Sequence, residues 1–261
     1  MVCKNTPRKV GLALGGGAAL GAAHIGVLKY LEEHSFDITH IAGTSIGALV
    51  GGAYACGVPI VELTKFARRV RWTKLTRLSI PRLGLFANDK LREQIKGLIS
   101  EKSFKDTNLP FAAIAACLET GEQVVLTRGE LVDAILASCA IPGIFEPVEL
   151  NNKLLCDGGV VNIVPDDAVW KMGAENVIAV DLTSKSMGND RPDSLFGVIY
   201  KSQNILTRRT LSFNEKTIVI SPVTKGYSAA DLNNYRTLMR IGYKTAMEKL
   251  VTIWPGSSHN G

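Results

Sequence analysis

Histidine is scarce in this chain of 261 residues, with four in all. His24, His34 and His40 precede Ser45, the candidate nucleophile, and His259 sits in the polar stretch Ser257-Ser258-His259-Asn260. A serine hydrolase in serine–acid–histidine order needs an imidazole after its nucleophile. The chain is therefore a poor candidate for that triad. The five cysteines form no C-x-x-C pair, and such an odd, unpatterned set reads as reduced thiols of an intracellular protein. No cluster of ligand-type residues is visible, so neither a metal nor a cofactor is expected. The glycine run near the start lacks a following G-K-[ST], which removes a P-loop.

Long apolar runs are also few. Ile41–Ile60 is free of charge and about long enough to span a bilayer, but its glycines and alanines suit a helix packed tightly on a sheet. Lys4, Arg8 and Lys9 before Val10–Leu14 mimic a secretory signal, yet the apolar run breaks at once into Gly15-Gly16-Gly17. No transmembrane segment and no export signal are expected.

What is present reads as one α/β domain over residues 1–250 with a tail at 251–261. Hydrophobic content of 46% with 21% charged residues excludes a disordered chain. Val10–Leu14 is predicted to be a buried strand, Ala22–His34 a helix, Ile38–Ala42 a strand and 46–56 a helix. Further helices are expected over Pro59–Arg71, from a cap at Asn88 or Asp89 to Ile99, and over Glu130–Ser138, Asp193–Arg209 and Ala229–Leu250, with another opened by Pro165. Phe111–Leu118 and Gln123–Thr127 form a strand pair, and Lys153–Cys156, Val177–Leu182 and Thr217–Ile220 are further strands.

Gly43-Thr44-Ser45-Ile46-Gly47 lies between a predicted strand and a predicted helix. A serine at that apex is raised above the sheet by a strained turn, and a side chain on either flanking glycine would strike the facing backbone. Unpaired N–H groups at the helix start favour developing negative charge there. Ser45 reads as a nucleophile. The loop Gly15-Gly16-Gly17-Ala18-Ala19-Leu20-Gly21 lies at the same sheet edge, with backbone amides free to approach a ligand. As a dinucleotide fingerprint it fails: G-x-G-x-x-G begun at Gly15 meets Leu20, and begun at Gly16 meets Ala18.

Ser45 needs a proton acceptor. His24 falls within the first helix and is expected to pack there. Asp157 ends an apolar strand and precedes Gly158-Gly159, so a partly desolvated carboxylate with open space around it is the better base.

The segments Gly11–Gly17, His24-Ile25-Gly26-Val27-Leu28, Gly43–Gly47, Ala137–Pro142 and Asp157-Gly158-Gly159 occur in an order that resembles the patatin-like phospholipase family, in its bacterial single-domain form. The resemblance implies a three-layer α/β/α fold with a mostly parallel central sheet. It also implies a Ser45–Asp157 dyad without histidine, and an oxyanion hole drawn from the amides of Gly15, Gly16, Gly17 and Ala18. The implied activity is hydrolysis of lipid carboxylic esters through an acyl-enzyme, with a lipid or fatty-acyl ester as partner. Leu20 departs from the pattern, since the family usually carries Arg or Lys there. That leaves a catalytically weak lipid-binding or regulatory protein as the alternative.

Seven positive charges and no acid lie between residues 65 and 86, which exceeds the whole net charge of +6. Arg68, Arg69, Arg71, Lys74 and Arg77, with Trp72 among them, read either as a solvated helix face and loop or as a surface for peripheral contact with anionic membrane. No nucleic-acid motif accompanies them. The expected location is cytoplasmic, at the inner face of the membrane when bound.

Overall fold

A computed structural model of the chain describes residues 8–71, 75–76, 83–186, 191–192 and 194–254. Five parallel strands form the centre of the sheet: β1 (Arg8–Leu14), β2 (Phe36–Thr44), β4 (Phe111–Cys117), β9 (Val177–Val180) and β10 (Ile218–Ile220), in the order β10-β9-β1-β2-β4. β5 (Gln123–Leu126) and β8 (Lys153–Asp157) join β4 antiparallel, and β7 (Val148–Leu150) pairs β8. A separate two-stranded ribbon pairs β3 (Gly84–Phe86) with β6 (Gly143–Phe145). This is the three-layer, mostly parallel α/β/α arrangement expected.

The two sheet faces differ in side-chain size. Leu12, Leu14 and Ile41 face a large core with α1 (Ala22–Glu33), α2 (Ile46–Ala55), α5 (Leu131–Ser138) and α8 (Tyr235–Ile253). Ala13, Ala42, Ala112 and Ala179 point the other way, where small side chains let α6 (Asp166–Lys171) pack close through Ala168 and Val169. That alternation follows from the two-residue period of a strand. α1 and α8 cross at backbone contact: a Cβ on Gly242 would overlap the Ala23 carbonyl oxygen, so no larger residue fits.

α3 (Ile60–Arg69), α4 (Asp89–Ile99) and α7 (Leu195–Thr210) complete the described helices. Asn88 stands at the N-cap of α4 but makes no capping bond, because its Nδ2 donates to Glu146 O instead. α8 begins at Tyr235, later than the helix expected from Ala229, since Asp231 accepts from Asn233 N and opens a short 3-10 turn first. It continues to Ile253, into the stretch expected as tail; Trp254 follows, and residues 255–261 lie outside the described residues.

One feature of the sheet positions the chemistry. Ile114 of β4 is flanked by Thr44 and Val125, and the next residue, Ala115, by Val124 and Asp157. β5 therefore lies along one edge of β4, while β2 and β8 share the other. β2 runs parallel to β4 and β8 antiparallel, so their carboxyl ends meet. Ser45 follows one end and Asp157 is the other.

Candidate active site

Ser45 has φ 54 and ψ −125, a backbone conformation rare for a residue with a side chain. The elbow is held by contacts from three directions. Ser45 N–H donates to Ser138 Oγ at 2.9 Å, and Ser138 Oγ donates to Ile114 O at 2.5 Å. Thr44 Oγ1 donates to Asn162 O at 2.9 Å, stapling the elbow to the segment after Asp157-Gly158-Gly159. A Cβ on Gly47 would overlap Leu14 O, and one on Gly43 would overlap Gly47 O. Both flanking glycines are thus required by close backbone, as the motif predicts.

Asp157 is 2% exposed and Ser45 7%. Burial pushes the Asp157 carboxyl up from its ordinary 3.8 to about 6, against hydrogen bonds from the Ser45 side chain and from Gly159 N–H, which lower it. The Gly159 bond is 2.7 Å, and Asp157 N–H donates to Ala140 O at 2.9 Å. The fold therefore sets the two residues singled out in the sequence side by side, close enough for the Ser45 side chain to act on the Asp157 carboxyl. Among the described residues no imidazole bonds to either of them; His259 lies outside that set.

His24 has a different place. It is fully buried in α1, and its Nε2 donates to Gly15 O at 2.7 Å. Burial drops its pKa from 6.5 to about 4, outweighing the Gly15 bond and the charge of Asp181. The ring is neutral at pH 7 and anchors the glycine loop from behind. Sequence spacing placed it in the helix, and only the fold shows what it holds.

The glycine loop runs beside Ser45: a Cβ on Gly16 would stand 3.6 Å from Ser45 Cβ. Its first two amides, however, are engaged. Gly15 N–H donates to Val180 O at 3.0 Å and Gly16 N–H to Ile163 O at 2.9 Å. That corrects the expected oxyanion set of four. Gly17 and Ala18 have no acceptor for their N–H groups among the described residues, and Ala18 sits at φ 48 where the chain turns outward. Leu20 is 1% exposed and packs into the core.

Ser45 and Ala18 line an apolar cleft of about 100 Å³ with Leu49, Phe66, Val70 and Phe145. The C-terminal end of α3 forms one lip of this cleft. Arg68, Arg69 and Arg71 are exposed there, and Arg71 Nη1 donates to Arg68 O and Val70 O. Trp72, Lys74 and Arg77 lie outside the described residues. No helix among the described residues is long and apolar enough to cross a membrane. Cys56, Cys117, Cys139 and Cys156 are free and buried, and burial and the Asp157 charge hold the Cys139 thiol well above its usual range.

The profile of the patatin-like phospholipase family matches residues 12–170, a span that holds both Ser45 and Asp157. An uncharacterised NTE-family protein of Mycobacterium tuberculosis is 37% identical over 190 residues, covering 72% of this chain and 52% of its own. A lysophospholipase of Meyerozyma guilliermondii is 27% identical over 281 residues, covering 95% of this chain and 20% of its own. The chain thus spans about half the length of the mycobacterial relative and less of the fungal one. Among solved structures, VipD of Legionella pneumophila aligns over 94% of this chain and 67% of its own, with TM-score 0.60 at 15% identity, a likeness of fold.

Proposed function

This chain belongs to the patatin-like phospholipase family, and from that premise we propose that it is a serine acyl hydrolase cleaving lipid carboxylic esters through Ser45 and Asp157. The observation that carries the reading is a buried carboxylate of raised proton affinity placed against the side chain of a serine held in a strained elbow. A hydroxyl is a weak nucleophile until a neighbouring base takes its proton. Asp157 accepts that proton as Ser45 Oγ attacks the ester carbonyl. The oxyanion of the tetrahedral intermediate is met by the amides of Gly17 and Ala18, each such donor typically contributing ~3–4 kcal/mol. Asp157 then returns the proton to the departing alcohol or lysolipid, leaving an acyl-Ser45 ester. Water attacks that ester with Asp157 again as base, and the fatty acid leaves with Ser45 restored.

The apolar cleft beside Ser45 suits an acyl chain. The exposed arginines at its lip suit an anionic lipid surface, which would bring the cleft to its substrate. The test is a fluorophosphonate probe, which reacts with activated serines. Labelling of the native protein and none of Ser45→Ala supports the hydrolase. No labelling of either supports the alternative, a lipid-binding or regulatory protein. A panel of esters and phospholipids on purified protein then defines the substrate.

A further inference from the structure

A second cavity, of about 260 Å³, opens beside the glycine loop. Leu20 forms part of its wall, α7 contributes Phe196, Tyr200, Lys201 and Asn204, and the segment from Gly226 to Ala230 closes it. The link to the active site is direct. Leu20 N–H donates to Gly17 O, Ala19 N–H donates to Ala229 O at 3.0 Å, and Tyr200 lies within the electrostatic reach of Asp157 and Asp181.

This cavity is more polar than the acyl cleft. Arg191 and Lys201 are among its lining residues, and among the described residues no Asp or Glu is. Asn204, 1% exposed, and Tyr200 lie together on its α7 wall, where the Asn204 side chain acts on the Tyr200 hydroxyl and Asn204 Oδ1 has no partner. An unpaired buried polar group costs free energy that a bound ligand recovers. Burial pushes the Tyr200 phenol up to about 12, against the Asn204 side chain, which lowers it, and at neutral pH the phenol holds its proton. By contrast, the neighbouring cavity of about 340 Å³, which shares Phe196 and Ala230 as a wall, is lined mainly by Leu85, Phe86, Ile144 and Leu195.

We propose that the cavity between Leu20, α7 and segment 226–230 binds the phosphate-bearing headgroup of the ester substrate, with Arg191 pairing the phosphate, the Tyr200 hydroxyl donating to its oxygens and Asn204 Oδ1 accepting from a glycerol hydroxyl. This rests on the hydrolase reading above but is tested apart from it. Arg191, Tyr200 and Asn204 are then specificity-determining residues, selecting a phospholipid or lysophospholipid over a neutral acylglycerol of the same chain length.

The first measurement is binding, on Ser45→Ala protein where no turnover intervenes. Glycerophosphocholine is titrated by calorimetry into Ser45→Ala, and into the same protein carrying Arg191→Gln or Tyr200→Phe. Saturable binding, weakened about tenfold in each variant, is expected for loss of one hydrogen bond to a charged group. Absence of binding, or equal binding in all three, overturns the proposal. Inorganic phosphate bound as tightly as glycerophosphocholine also overturns it, assigning the cavity to free phosphate. The second measurement is the ratio of KM values for a lysophospholipid and the matching monoacylglycerol, with Ser45 intact. Arg191→Gln raises that ratio about tenfold on the present assignment. An equal rise for both substrates would mean a structural role and would sink it. Should glycerophosphocholine bind while the fluorophosphonate fails to label Ser45, the headgroup site stands and the hydrolase reading falls.

Discussion

Ser138 and Ser45 are joined by a hydrogen bond in which the Ser138 hydroxyl oxygen accepts the Ser45 N–H at 2.9 Å, while the same hydroxyl donates to Ile114 O. Ser138 ends α5 and Ile114 lies in β4, so one small side chain ties a helix end, a central strand and the strained elbow together. It does not touch a reacting atom. Its effect on reactivity passes through the Ser45 backbone.

Ser138→Ala should therefore cost ~1–3 kcal/mol of stability, the range for leaving a buried donor unpaired. The rate of fluorophosphonate labelling should fall as the elbow loosens. Urea unfolding and a labelling time course measure the two effects, and a variant that is native in both would show the contact to be idle.

Asp157→Asn should lower turnover by ~10²–10⁴-fold, the usual contribution of a positioned base, while the protein stays folded. In the native enzyme kcat/KM should climb as pH rises toward about 6, where the carboxyl ionises, and level off above it. Substantial turnover in the variant, or a profile unmoved by pH between 5 and 7, would remove Asp157 from the role of base.

The same carboxyl affects stability with the opposite sense to most acids. Its folded pKa, about 6, lies above its ordinary 3.8, so the folded state holds the proton more tightly and stability declines as pH rises through that window. His24 runs the other way: its folded pKa of about 4 lies below 6.5, so its contribution is lost as pH falls between those values. In the native protein the two slopes oppose each other. Asp157→Asn should gain up to ~3 kcal/mol over the native protein at pH 7, shrinking toward pH 4, and should itself destabilise as acid is added. A gain that does not vary with pH would contradict this.

Gly242→Ala places a methyl group against the Ala23 carbonyl at the α1–α8 crossing. Forced overpacking of this kind costs ~1–3 kcal/mol or more. Thermal unfolding would show it, and an unchanged Tm would mean that the two helices are free to separate.

Neutralising Arg68 and Arg69 should weaken sedimentation with anionic vesicles and leave neutral vesicles unaffected. Each charge near such a surface is worth about 1 kcal/mol. Arg71 is less informative, because its guanidinium also holds the carbonyls of Arg68 and Val70.

Much of this architecture was legible in the amino-acid order. The buried strands Val10–Leu14 and Phe111–Cys117 carry continuous apolar runs, and Ser45 and Asp157 each close such a strand within a glycine-bounded turn. What escaped depended on partners distant in the chain. Three-residue strands such as Gly143–Phe145 and Val148–Leu150 are too short to show a period. Whether the amides of Gly15 and Gly16 face a ligand or the sheet was decided by Val180 O and Ile163 O, which local sequence does not reveal. Ser138 lay in a recognised stretch, Ala137–Pro142, but its bond to Ser45 appears only when α5 is set against β4.

Because β2 and β8 approach the same edge of β4 from opposite directions, no local piece of the chain contains a finished reaction centre. Pairings between remote segments are the slow steps of folding. During refolding, helical signal should accordingly recover first, and the capacity to react with the phosphonate should return only when the last strand has docked.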